Sequence, residues 1–366
     1  MKSNNTTNNI ITPSASVNAK NRRDVNLDLI RLAAIFFLPS LHFFAYVQFY
    51  DVPVSGFLMY LMSTVRNLSM ICIPLFLMLT GYLMSNKEYS PAYFKGIIRV
   101  LMLFFICKTM TVIFYDYMYM HKTIDFIGYI KALSSGGEYS WYVGLYMWIY
   151  CLIPFFNIIY HSLDKKRNKQ ALLLAVFGLI SLPQYSNFYK ADMPNLFKDF
   201  YPVFYYFIGA YIREYHTDKK KLASLALFLL SAAVSGSVSF LISHNNNFVR
   251  NDLNYSWSSP FIAAMAISLF VFLRKIDMSR TPKAAAAILA KISELSFGAY
   301  LLSWISDNIL YPKLTNAVPQ ITDRLKYYII MVPLILVCSL LMSAAANIIY
   351  KLFVFFSKKI YDLLKY

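Results

Sequence analysis

An arginine and a histidine on one apolar segment are the residues of this chain best placed to do chemistry. The segment Leu27 to Phe44 reads LDLIRLAAIFFLPSLHFF and carries Arg31 and His42. On a helix, eleven steps of about 100° return nearly to the starting direction and eleven rises of about 1.5 Å cover roughly 16 Å. Both side chains therefore share one face at different depths, with Asp28, Ile35 and Pro39 near the same stripe. An imidazole can remove a proton from a hydroxyl, and a guanidinium supplies fixed positive charge. If the segment crosses a membrane with Arg31 at the headgroup level, His42 lies near the midplane. An ionisable group there is costly unless it faces a polar cavity, so it is a functional candidate. Pro39 removes one backbone hydrogen bond just before it and permits a kink. The residues alone leave a second reading open: a histidine bonded across a helix pair, with Arg31 as a snorkelling flank.

The elements that must position this pair are membrane helices. Of 366 residues, 58% are hydrophobic and 14% charged, the reverse of a soluble balance in which charged residues make up about a quarter. Apolar runs of about 20 residues, the length that crosses a hydrocarbon core of roughly 30 Å, recur along the chain. They predict an all-α integral membrane protein of about ten transmembrane helices around a polar central cavity. The expected spans are 27–49, 57–84, 97–119, 140–160, 170–183, 200–212, 222–243, 258–274, 290–311 and 327–350. Alternate loops then carry a roughly threefold excess of Lys and Arg on one side, which puts both termini in the cytoplasm. Adding or dropping one span would scramble that asymmetry.

The net charge of +17 sits in short loops, so it points to a membrane surface rather than nucleic acid. Residues 1–26 are expected to form a disordered cytoplasmic tail, 27–350 the transmembrane domain and 351–366 a basic cytoplasmic tail. The first apolar run is too long for a signal peptide and lacks a cleavage site. Cys72, Cys107, Cys151 and Cys338 lie in apolar runs with no metal or redox spacing, so no metal is expected. No inverted repeat supports a transporter architecture. Thr281-Pro282 reads as a cap and first-turn proline, with 283–294 as an interfacial helix leading into the ninth span.

The Arg-x10-His pair resembles the hallmark of the membrane acyltransferase 3 family, whose members include surface-polysaccharide O-acetyltransferases. Further runs are similar to that family's signatures: Arg66 through IPLFLMLTGYL (Ile73 to Leu83), Trp141-Tyr142 through Tyr150 and Pro154, FIGAY (Phe207 to Tyr211), and LSFGAYLL (Leu295 to Leu302). The resemblance covers about residues 24–350. Two departures stand out. Ser303 occupies a position where the family often has histidine, and Gly96 precedes Arg99 where two arginines often stand three apart, leaving Lys95 beside it.

The resemblance implies transfer of an acyl group, usually acetyl, from acyl-coenzyme A to a sugar hydroxyl of a surface polysaccharide or its lipid-linked precursor, at the plasma membrane. A thioester is already activated, so the protein must orient an alcohol, remove its proton and stabilise an oxyanion. His42 is the expected base. Arg31, Arg99 and Lys95 stand at cytoplasmic helix ends, where they can bind the phosphates of acetyl-CoA; a positive-inside flank is the other reading of Arg99. Arg66 enters from the outer side, facing the acceptor end of the cavity or pairing with Asp51. Glu138, Trp141 and Tyr142 stand at the outer start of the fourth span, suited to a sugar ring, although interfacial aromatic girdles are common. Tyr300 is a candidate hydrogen-bond donor in the cavity or a packing residue. Lys108, Asp116 and Asp307 are ionisable residues at depth without an assigned role. Lys108 and Asp116 are read as sharing a helix face, turned to the cavity or balanced by partners elsewhere. A polysaccharide-unit transporter or flippase, or a non-catalytic partner of a glycan synthase, remains the alternative; oligomeric state is not legible.

Overall fold

The computed structural model describes residues 23–123, 125–134, 139–185, 195–215, 221–249 and 256–363. The apolar runs become helices because, without water, each backbone N–H and C=O needs a partner within its own segment. In chain order they are α1 (Val25–Tyr46), α2 (Gly56–Ser69), α3 (Cys72–Met84), α4 (Pro91–Thr111), α5 (Phe126–Ser134), α6 (Trp141–His161), α7 (Lys166–Ser181), α8 (Tyr201–Tyr215), α9 (Lys221–Ser243), α10 (Pro260–Arg274), α11 (Lys283–Ala317), α12 (Ile321–Arg324) and α13 (Tyr328–Leu363). Among the described residues the extended backbone amounts to two isolated bridges, Pro53 with Asn247 and Val54 with His244.

Helix starts follow local chemistry. Asp24 accepts a hydrogen bond from the Asn26 N–H at 3.1 Å, and Ser90 accepts one from the Tyr93 N–H at 3.2 Å just ahead of Pro91, each satisfying a first-turn donor. The expected cap at Thr281 does not form. Pro282 itself occupies the cap position, and α11 starts at Lys283 without a side-chain cap bond.

Seven helical stretches among the described residues are long and apolar enough to cross a membrane: Val25–Tyr46, Gly56–Met84, Pro91–Tyr119, Trp141–His161, Lys221–Ser243, Lys283–Ala317 and Ile321–Lys359. The other three expected spans are the helices α7, α8 and α10, of 16, 15 and 15 residues. None of the three is among the stretches that combine the length and hydropathy of a membrane span, and α10 is apolar but short. One further expectation changes. The segment 283–294 is not a separate interfacial helix but the first part of the 35-residue α11. The segment 351–363 continues α13 as helix, with residues 351–359 exposed.

The core forms where α1 packs between α3, α11 and α13. Tight crossings explain the glycines of the signature runs. A Cβ on Gly81 of α3 would overlap the Tyr206 carbonyl of α8, and one on Gly209 of α8 would overlap the Met78 carbonyl of α3. Only a hydrogen at each position lets the backbones approach so closely. Gly81→Ala should therefore destabilise the detergent-purified protein by roughly 1 to 3 kcal/mol as overpacking, read as a lower thermal unfolding midpoint; an unchanged midpoint would show that the two helices can separate freely. Across the bundle, Tyr93 and Tyr150 stack at 4.5 Å and each donates its hydroxyl to the other's backbone carbonyl, fastening α4 to α6.

Candidate functional site

The Arg31–His42 stripe lies along one partner helix. Arg31 donates from a guanidinium nitrogen to the Ser293 hydroxyl of α11. Further along both helices, His42 Nδ1 lies 2.9 Å from Asp307 Oδ2. The pairings ascend together, so α1 and α11 run in the same direction. With Asp307 ionised, its carboxylate can only accept, so the bond places a proton on Nδ1, and a neutral ring then keeps its lone pair on Nε2. Nε2 has no hydrogen-bond partner among the described residues, and the side chain keeps 15% of its surface exposed.

Asp307 is fully buried. Its Oδ2 also accepts from the Tyr139 hydroxyl at 2.6 Å, and the Tyr139 ring lies against the imidazole at 4.1 Å with 27° between planes. Tyr139 thus holds both members of the pair, one by hydrogen bond and the other by stacking. Behind it the Tyr46 hydroxyl lies 3.3 Å from that of Tyr139 and accepts from Asn308 at 3.0 Å. Oδ1 of Asp307 and the Tyr311 hydroxyl are buried without a partner among the described residues.

Arg31 stands at the other end of the stripe with a quarter of its side chain exposed, 3.7 Å from Asp28. Asp28 is itself held by Arg23 through two bonds of 2.6 and 2.8 Å. Arg31 lines a cavity of about 230 Å³ together with Tyr142, Tyr146, Ser296 and Tyr300, and its apolar wall includes Phe76 and Val100. His42 is not on that wall. Tyr300 is, and its hydroxyl donates to the Tyr139 backbone carbonyl while its ring stacks on Tyr139 at 6.0 Å. A column of three rings, Tyr300, Tyr139 and His42, therefore links the cavity to the imidazole.

The remaining expected site residues divide. Tyr142 and Tyr300 join Arg31 on the cavity wall. Lys95 and Arg99 are exposed on α4, beside the wall residue Val100, and Arg99 lies 5.7 Å over the Tyr350 ring. Trp141 faces away, stacked on Trp257 at 5.4 Å. Arg66 is 1% exposed and is not on the cavity wall. It donates to the Tyr50 hydroxyl at 3.2 Å and to Asn67 Oδ1 at 3.0 Å, with its guanidinium 5.0 Å over Phe248. Asn67 in turn bonds the Ser235 carbonyl and Ser239 hydroxyl, so the Arg66 cluster ties α2 to α9. Glu138 lies outside the described residues. Lys108 is buried, and Asp116 bonds Lys122 at 2.8 Å.

A family model described as an acyltransferase domain matches residues 24–344. The chain belongs to the acyltransferase 3 family. The match runs from the cap of α1 into α13 and includes both helices of the His42–Asp307 pair. No curated protein and no solved structure matches the chain. The protein is thus a multi-pass helical membrane acyltransferase. At the position where its family often carries histidine, this acyltransferase has Ser303, buried and donating to the Tyr300 carbonyl at 2.8 Å. That hydroxyl is engaged within its own helix, while the carboxylate one turn later reaches the imidazole. Asp307 and Tyr139, which meet His42 in the structure, had no role assigned from the sequence. Asp307 carried a signal, an acid inside an apolar run; Tyr139 carried none beyond its place before Trp141.

Proposed function

We propose that the protein moves an acyl group, usually acetyl, from acyl-coenzyme A to a sugar hydroxyl of a cell-surface polysaccharide or its lipid-linked precursor. One observation carries the reading: an intramembrane imidazole with Nδ1 bound to a buried carboxylate and Nε2 left open, coupled by stacked rings to a cavity lined by an arginine. The acceptor hydroxyl oxygen attacks the thioester carbonyl carbon, and His42 Nε2 takes its proton. Asp307 balances the positive charge that then develops on the ring. The carbon–sulfur bond breaks, and His42 returns the proton to the departing thiolate, so the imidazole ends as it began.

The cavity suits the donor's chemistry. Arg31 stands among its lining residues, its walls are mainly apolar, and Lys95 and Arg99 are exposed elsewhere on α4, the helix that contributes Val100 to the wall. Guanidinium and ammonium groups bind phosphate oxygens strongly, while a narrow apolar passage fits a pantetheine arm and short acyl chain. In this assignment Arg31 acts on donor binding: Arg31→Ala should raise the KM for acetyl-coenzyme A at least about tenfold, with Arg31→Lys in between because it keeps the charge but loses the fork.

The decisive experiment supplies radiolabelled acetyl-coenzyme A to membranes containing the protein and follows label into glycan. Mass spectrometry then compares surface glycans from cells with and without the gene. Label in glycan and a missing acylated species in the deletion are the expected results. Identical glycan acylation in the two strains, with the protein present in the parent, would overturn the proposal.

A further inference from the structure

One turn of chain serves three places at once. Tyr139 stacks on His42, Tyr142 lines the cavity with Arg31, and Trp141 between them points into a separate cleft of about 700 Å³. That cleft gathers three of the chain's four tryptophans, Trp141, Trp148 and Trp257, with Tyr201, Asp199 and Ser256. Its size falls in the range of small-molecule sites.

We infer that this cleft binds a neutral sugar unit of the acceptor, a subsite that rests on the proposed glycan acylation and assigns it a substrate class. The cleft is walled by aromatic faces. Trp257 is held rigidly, its indole N–H donating to the Met70 carbonyl at 3.1 Å, its own carbonyl accepting from Tyr205 at 2.7 Å, and Tyr201 tilted against it at 5.2 Å. Trp141 stacks on Trp257 with 43% of its surface open, and Trp148, seven residues further along α6, is 74% exposed. A fixed indole pair beside a free indole offers flat apolar platforms to the C–H face of a pyranose. Gly144 leaves the floor between Trp141 and Trp148 open, since a Cβ there would meet nothing within 4 Å.

Charge sets the cleft apart from the rest of the molecule. The chain carries +17 overall, yet among the described residues no Lys, Arg or His lines this cleft, and its single charged group is Asp199. A carboxylate accepts hydrogen bonds from sugar hydroxyls and repels a carboxylated sugar. The cleft therefore selects neutral hexose or N-acetylhexosamine units against uronic acids. An interfacial girdle of tryptophans would scatter its indoles around the bundle; here they converge on one acid and on the turn that touches His42.

The test titrates the full-length protein in detergent with neutral oligosaccharides (gluco-, galacto- and N-acetylglucosamine tetramers) and with tetragalacturonate, reading tryptophan fluorescence. At least one neutral tetramer should give a saturable change that tetragalacturonate does not. Trp148→Ala and Asp199→Asn, both exposed positions, should each weaken that binding about tenfold, with unfolding midpoints recorded to show that the variants are folded. Equal binding of the uronate, no binding by any neutral tetramer, or variants that bind as the parent does would overturn the cleft. If the parent acylates a glycan while both variants keep its acceptor KM within twofold, the cleft fails and the acyltransfer reading stands. Binding of a neutral tetramer without any acyl transfer supports the cleft and removes the acyltransfer reading.

Discussion

Replacing His42 by Asn lowers acyl transfer by two to four powers of ten, the usual contribution of a positioned general base, and leaves the protein folded. The choice of Asn follows from the geometry. His42→Ala removes two things together, the base and the donor that Asp307 accepts at 2.9 Å. A fully buried carboxylate that loses a partner destabilises the fold by several kcal/mol, so lost activity in the Ala variant could reflect lost protein. The amide nitrogen of Asn occupies roughly the place of Nδ1 and can still donate to Asp307, while nothing replaces Nε2. The two variants therefore separate the roles. His42→Asn should match the parent in unfolding midpoint and membrane abundance yet fail in labelled-acetyl transfer, whereas His42→Ala should fail in all three. If His42→Asn keeps more than a tenth of the parental rate, Nε2 is not the base and His42 serves to join α1 to α11.

The separation between legible and illegible features runs between one helix and two. Arg31 and His42 belong to a single segment, so the pitch of the helix alone aligns them, and the apolar runs and basic loops supply the surrounding membrane architecture. Asp307 stands 265 residues from His42 in the chain, and no spacing rule links residues on different helices. The sequence marks it only as an acid out of place. The same limit explains Lys108 and Asp116. Their eight-residue spacing reads as one face of a regular helix, but the backbone passes into a π-helical stretch at Val112–Tyr119, which widens the turn and alters the phase. Asp116 then reaches the exposed Lys122. Arg66 shows a third case. A cation within an apolar segment is a functional candidate by default, and no spacing rule tells that its neighbours include Tyr50, Asn67 and Phe248 rather than the wall of the Arg31 cavity. Helix count turns on length and composition together: seven stretches among the described residues meet both, while α10 is apolar but short and α7 and α8 are not among the seven.

Asp307→Asn should lower kcat roughly a hundred- to a thousandfold, the scale for losing one preorganised electrostatic partner of a developing charge, with little change in the KM for acetyl-coenzyme A. The amide has the shape of the acid and can present its oxygen to both Nδ1 and the Tyr139 hydroxyl, so the ring stays in place. What disappears is the negative charge that favours the imidazolium formed when Nε2 takes a proton. Arg31 variants act on donor KM, so the two ends of the stripe should be kinetically distinct. The stronger test is the double variant. If His42 and Asp307 work as one unit, His42→Asn combined with Asp307→Asn should be about as slow as His42→Asn alone, because the carboxylate has no imidazolium left to stabilise. Losses that multiply instead would mean that Asp307 acts on the reaction by a route that does not pass through His42.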